Sequence, residues 1–205
     1  MKLYYAPGAC SLAPHIVLNE LGLPHRLIRV DLKTGKTEQG DDFRAINPKG
    51  YVPALELDSG ERLTEAAVIL QYLADSVPAA GLAPAAATAE RYRLQEWLNF
   101  IATEIHKGFS PLWNAAIGSD EKQRVVDRLG ARLDWLATQL EGRDFLAGNT
   151  FGVADAYLFT VLNWGQWLGV DIARWPALKA YSARVAVRRG VRAALLAEGL
   201  LKQAA

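Results

Sequence analysis

The 205 residues carry 23 Lys and Arg against 22 Asp and Glu, a formal charge of +1, with 51% hydrophobic and 22% charged residues. That balance excludes a global field for nucleic acid or an anionic membrane and fits a globular protein of one large or two small domains. No stretch approaches the roughly 18 apolar residues of a membrane helix, and the apolar start is shorter than the roughly 7 to 15 residues of a secretory core, which also discounts Pro7-Gly8-Ala9-Cys10 as a lipoprotein box.

In chain order, Lys2 to Tyr5 reads as a strand and Ser11 to Leu21 as a helix, with Ser11 as cap, Leu12, Ile16, Val17 and Leu21 on one face and Gly22 as stop. His25 to Val30 is a second strand, Asp41 to Ile46 a short helix, and Asn47-Pro48-Lys49-Gly50 a turn. Ala54 to Leu57 and Arg62 to Leu63 flank the hairpin signal Asp58-Ser59-Gly60-Glu61, and Thr64 caps a helix from Glu65 to about Ser76. The order β-α-β-α-β-β-α over residues 1–77 is that of a thioredoxin-like unit.

Residues 78–87, rich in Ala, Pro and Gly, read as a linker. Residues 88–205 show only three- and four-residue apolar spacing, with helices expected from Thr88 to Leu112, Asp120 to Leu140, Gly152 to Leu168, Trp175 to Val187 and Gly190 to Leu200. The expected class is therefore α/β plus all-α.

Cys10 is the single cysteine. It can close no internal disulfide, it is not part of a CxxC pair because position 13 is Ala, and with no export signal it points to a reducing cytoplasm. It stands where the first strand hands over to the first helix. A free cysteine titrates near pH 8.5, so a thiolate at neutral pH needs about 2 kcal/mol of help, and a helix N-terminus typically gives only about 0.3 to 1 kcal/mol. His106 and Lys107 supply a titratable donor and a fixed cation for the remainder, and the same groups, with the Ser11 hydroxyl, would equally favour the sulfur of a bound cofactor. Taken alone, Cys10 also fits an inert buried thiol and His106 a structural histidine; His15 and His25 read as structural or surface residues. Val52-Pro53 precedes a strand, and a cis bond there would turn the Val52 N–H and C=O outward toward an extended peptide. Thr64-Glu65-Ala66-Ala67 opens a helix whose first amides can take a carboxylate while Glu65 takes an ammonium, an arrangement suited to an amino acid.

Tyr5, Pro7-Gly8-Ala9-Cys10-Ser11, Asn47-Pro48-Lys49-Gly50, Val52-Pro53-Ala54-Leu55, Leu63-Thr64-Glu65, Gln71-Tyr72-Leu73-Ala74-Asp75 and residues 96–109 occur in one order along the chain. Together they resemble a bacterial beta-class glutathione S-transferase, and Ala154-Asp155-Ala156-Tyr157-Leu158-Phe159 resembles the start of that family's buried sixth helix. The resemblance implies a cytosolic homodimer that binds glutathione as co-substrate, with no metal. It places the cysteinyl backbone against Val52, with Pro53 cis, and the γ-glutamyl end at Glu65 and the Ala66 amide. The sulfur falls beside Cys10, near His106 and Lys107, with Tyr5 a subordinate donor, and the other subunit contributes Asn99 and Glu104. A small hydrophobic electrophile is expected between the domains near Trp113 and Trp164.

The sequence departs from the pattern at three positions. Ala66 replaces a common Ser, leaving only a backbone amide for the γ-glutamyl carboxylate; Gly35 replaces a lysine for the glycyl carboxylate, so Lys33 or Lys36 must substitute; and Gly152 replaces a Ser or Thr helix cap, which Asp155 can offset by reaching back to the cap amide. The implied reaction is transfer of glutathione thiolate to an electrophile, with Cys10 either donating a hydrogen bond to the sulfur or forming a mixed disulfide with it. The rivals are a glutathione-dependent thiol-disulfide reductase or dehalogenase on the same scaffold, and a non-catalytic glutathione-transferase-like binding module.

Overall fold

The computed structural model describes residues 1–202 and divides into two compact units, residues 1–81 with 188–202, and residues 82–187. The first unit runs β1 (Lys2–Tyr5), α1 (Leu12–Glu20), β2 (Arg26–Asp31), β3 (Lys36–Thr37), α2 (Phe43–Ile46), β4 (Ala54–Glu56), β5 (Arg62–Thr64) and α3 (Ala66–Ser76). Its sheet has the order β3-β2-β1-β4-β5, with β1 parallel to β2 and the other neighbours antiparallel. The alternation of strand side chains sends Tyr4 to a cluster with Ile28, Val30, Phe43, Val52 and Ala54, while the buried Leu3 and Tyr5 take the opposite face. Tyr5 packs against His15 of α1.

The fifth strand, β3, departs from the expected order. Its two residues are too few to show alternation, and it forms because Gly35 takes φ +69° while the Asp31 carboxylate accepts from Lys33 N at 2.8 Å, folding the chain back on β2. Ser11 also departs from its expected role. It has helical φ and ψ and caps nothing; its buried hydroxyl instead donates to Ala6 O and accepts from Ala6 N, both at 3.2 Å, locking the turn from 6 to 11.

The second unit is helical: α4 (Ala89–Phe100), a π-helical stretch Ile101–His106, α5 (Lys107–Phe109), a 3-10 turn (Ser110–Trp113), α6 (Ser119–Gln139), α7 (Val153–Leu162), α8 (Gly165–Leu168) and α9 (Pro176–Ala186). Every residue of α7 is buried, which makes it the unit's central element. Asp155 holds its start by accepting from Gly152 N at 2.8 Å, Leu146 N at 2.9 Å and the Tyr181 hydroxyl at 3.0 Å. Gly152 suits the site because a Cβ there would come within 3.0 Å of the Leu82 carbonyl. The helix expected from Gly152 to Leu168 is broken at Asn163 and Trp164 into α7 and α8. Gly165 lies so close to Val170 O, 2.3 Å from where a Cβ would stand, that the chain turns there.

The final helix, α10 (Arg189–Ala197), packs on α1 in the first unit, whereas the sequence grouped it with the helices before it. Arg188 pairs with Glu20 at 2.6 Å, and Gly190 allows the approach, since a Cβ there would meet the Glu20 backbone nitrogen at 2.8 Å. No described helix is long and apolar enough to cross a membrane.

Candidate active site

In the first unit the turn from Pro7 to Ser11 leaves β1 at Tyr5 and enters α1 at Leu12. Gly8 supplies φ +72°, and Ser11 ties the turn to Ala6. Cys10 is partly exposed, and its thiol donates to the Val52 carbonyl at 3.2 Å. Only a protonated thiol can make that bond. The turn thus brings the Cys10 sulfur to the backbone of Val52, and the Val52–Pro53 peptide is cis, as the resemblance implied.

Beneath the turn lies Glu198, which sequence reasoning did not single out. Its carboxylate is fully buried, accepting from Gly8 N at 2.8 Å with one oxygen and from His15 Nδ1 at 2.8 Å with the other. Two bonds to a buried carboxylate are worth about 3 kcal/mol together. They tie the last helix to the loop that carries the thiol. His15, expected to be structural, is the α1 partner in this tie; its ring stands edge-on to His25, whose titration burial pushes below the usual range. The Tyr5 phenol is pushed up, first by burial and then by the Glu198 charge, so it keeps its proton firmly.

At the other end of the sheet, Glu65 precedes α3 with φ +69°, a left-handed value that costs a non-glycine residue of order 1 kcal/mol and is found where function fixes the backbone. Ala66 opens α3, whose first internal bonds run from Val68 N and Ile69 N to the Glu65 carbonyl, both at 3.0 Å, so the Ala66 and Ala67 amides precede the helical ladder. Lys49, quoted in the sequence only as part of a turn, brings its ammonium to Glu65 Oε1 at 2.7 Å and Thr64 Oγ1 at 3.1 Å. Lys33 sits in the β2–β3 turn and Lys36 on edge strand β3, at the opposite edge of the sheet from β5.

In the second unit the π-helical stretch carries Glu104 and His106, and Lys107 follows it. π-turns recur at functional sites because the extra residue re-aims the side chains beyond it. His106 Nδ1 lies 2.7 Å from the Tyr157 hydroxyl, and its ring stands edge-on to Trp164 at 4.7 Å. Trp164 also meets Trp113 and Phe109, each at 6.0 Å, and Trp113 is half exposed, giving an aromatic surface beside the imidazole. Lys107 takes a different face. With Thr103, Glu104, Arg128 and Arg132 it lines a groove against α6, where Glu104 pairs with Arg132 at 2.6 Å. Asn99 is exposed on α4, its carbonyl accepting from Thr103.

An α/β unit that presents a thiol at its first turn, followed by a helical unit that presents an imidazole among aromatic rings, defines a class of thiol-handling proteins built on the thioredoxin plan. The family model for the glutathione S-transferase N-terminal domain matches residues 8–76, and that for the C-terminal domain residues 100–188. The chain is 46% identical over 200 residues to glutathione S-transferase GstA of Escherichia coli O157:H7, covering 98% of this chain and 100% of the relative. It is 41% identical over 207 residues to glutathione S-transferase GST-4.5 of Xanthomonas campestris pv. campestris, with 98% and 100% covered. Among solved structures, the ternary complex of BphK, a bacterial glutathione transferase, superposes with a TM-score of 0.95 at 52% identity, covering 97% of this chain and 100% of that one. A sphingomonad glutathione S-transferase complexed with glutathione gives 0.94 at 50% identity, covering 98% and 100%. This chain belongs to the glutathione S-transferase family.

Proposed function

We propose that this protein is a beta-class glutathione transferase that binds glutathione, favours its thiolate and transfers it to an electrophilic carbon of a small hydrophobic substrate. The sulfur forms the new S–C bond as the leaving group departs with its electron pair, in a reaction that serves detoxification. The observation that carries this reading is the 3.2 Å contact between the Cys10 thiol and the Val52 carbonyl. A cysteinyl residue paired along Val52 brings its own sulfur next to Cys10. Glu65 and the Ala66 amide take the γ-glutamyl group, and Lys33, Lys36 or Lys49 the glycyl carboxylate. His106 serves the thiolate, Lys107 lies on the other face in the groove against α6, and the electrophile takes the aromatic surface of Trp113 and Trp164. Tyr5, packed on His15 and held protonated, is subordinate to Cys10.

We further propose a cytoplasmic homodimer in which Asn99 and Glu104 of each subunit serve the glutathione of the other. Sedimentation at twice the chain mass is the expected result, and a monomer that binds glutathione at full affinity would refute it. For the reaction itself, the test is retention on immobilised glutathione together with conjugation of a chlorinated dinitrobenzene. The thiol is already a hydrogen-bond donor in the resting site, which favours donation to the cofactor sulfur over a mixed disulfide. Cys10→Ser, which keeps a donor, is therefore expected to hold conjugation within about tenfold. Thiol-disulfide exchange that survives in Cys10→Ser would remove the covalent role altogether. Conjugation that falls to the uncatalysed rate would restore it.

A further inference from the structure

We infer that Lys49 is a positioning residue for the ligand's α-ammonium: with Thr64 it holds the Glu65 carboxylate so that one oxygen is engaged and the other is left for an incoming amino group. The inference rests on the reading that Glu65 receives the γ-glutamyl end, and every residue in it belongs to the first unit. Lys49 stands in the turn after α2, which the buried Asn47 builds. The Asn47 side chain accepts from Lys49 N at 3.3 Å and donates to Tyr51 O at 2.7 Å, and its carbonyl accepts from Gly50 N at 2.9 Å. The Glu65 backbone is fixed as well, by its left-handed φ and by the two α3 amides on its carbonyl. What the backbone leaves open is the Glu65 side chain, with three rotatable bonds and 64% exposure. Lys49 Nζ removes that freedom, standing 2.7 Å from Oε1 while it donates to Thr64 Oγ1 at 3.1 Å. Glu65 Oε2 accepts no hydrogen bond among the described residues, and a carboxylate has lone pairs for a second ammonium there. Two ammonium groups on one carboxylate repel each other, but an amino-acid end brings its own carboxylate, and water screens the rest at this exposure. An ion pair with both partners more than half exposed adds little stability; what it supplies is a fixed direction for Glu65. Lys49 is thereby assigned to Glu65, which leaves the glycyl carboxylate to Lys33 or Lys36.

The experiment measures, by calorimetry on the full chain, the dissociation constants of glutathione and of its des-amino analogue glutaryl-cysteinyl-glycine, in which hydrogen replaces the α-ammonium. The wild type is expected to prefer glutathione by about thirtyfold, the value of a charge-assisted hydrogen bond. Lys49→Met is expected to weaken glutathione about tenfold and leave the analogue unchanged, so the preference falls to about threefold. In a Glu65→Gln background Lys49→Met is expected to change nothing further, because Lys49 acts only through Glu65. Thr64→Val, which removes the second anchor of Nζ, is expected to cut the preference about threefold and decides the matter if Lys49→Met fails to fold. A preference untouched by both variants would overturn the inference. Equal weakening of the two ligands in Lys49→Met would assign the ammonium to a ligand carboxylate, and tighter glutathione binding would make it a competitor of the ligand's amino group; either result overturns the inference too. A wild type that binds the two ligands alike would instead fault the placement of the γ-glutamyl end at Glu65, and the inference would fall with it.

Discussion

The two units hold their chemical groups in contrasting ways. The thiol turn of the first is fastened by a carboxylate 190 residues downstream, through Glu198 to Gly8 and His15. The imidazole of the second is fastened by Tyr157, 51 residues on, and by Trp164 close behind it. The first arrangement makes the reactive turn depend on the integrity of the whole chain. The second makes it depend on one helix lying against another.

The largest expected effect comes from cutting the long-range tie. Glu198→Ala removes the buried carboxylate that accepts from Gly8 N and His15 Nδ1 and is expected to lose about 3 kcal/mol in urea denaturation while Cys10 alkylates faster. Unchanged stability and an unchanged alkylation rate would mean the turn stands without the chain end. In the second unit, Asp155→Asn keeps one acceptor oxygen where three donors converge and is expected to lose about 2 kcal/mol, with the Cys10 alkylation rate unaffected. A change in that rate would show that the two units are not independent in this respect.

How much of this could be read from residue order alone follows the same contrast. Helix α6, with Val125, Leu129, Leu133 and Leu136 buried at three- and four-residue spacing, was legible because a local period encodes it, and the strand at Lys2–Tyr5 because a short apolar run ends at the Pro7-Gly8 turn. Asp155 reaching back to the Gly152 amide was legible for the same reason, since cap and partner are three residues apart. Strand β3 is too short to have a period. The π-turn has none of its own, so the sequence treated His106 and Lys107 as one functional pair where the structure gives them different faces. Glu198 was invisible because nothing near it in sequence hints at a partner in the first turn, and Lys49 because its partner lies across a hairpin.

The smallest expected effect concerns the strand edge. Glu56 is the cross-strand neighbour of both Lys2 and Arg62, and bonds to Lys2 first and then Arg62 and Tyr4 hold its carboxyl below the ordinary range near 4.3 despite burial. A depressed folded value means that the stabilisation is fully present above the ordinary range and is lost as the pH falls through the folded value. Glu56→Gln should therefore flatten the acid limb of the stability curve and remove under about 1 kcal/mol at neutral pH. A steeper acid limb in the variant would reverse the sign of that pair's contribution.

Glu198 also orders events during synthesis. The ribosome releases the strands of the first unit long before it releases α10, and until Glu198 arrives the Gly8 amide and the His15 ring lack their buried acceptor. The intervening helical unit has its own contacts to fold on in the meantime, and the thiol loop gains its buried carboxylate only after α10 has emerged.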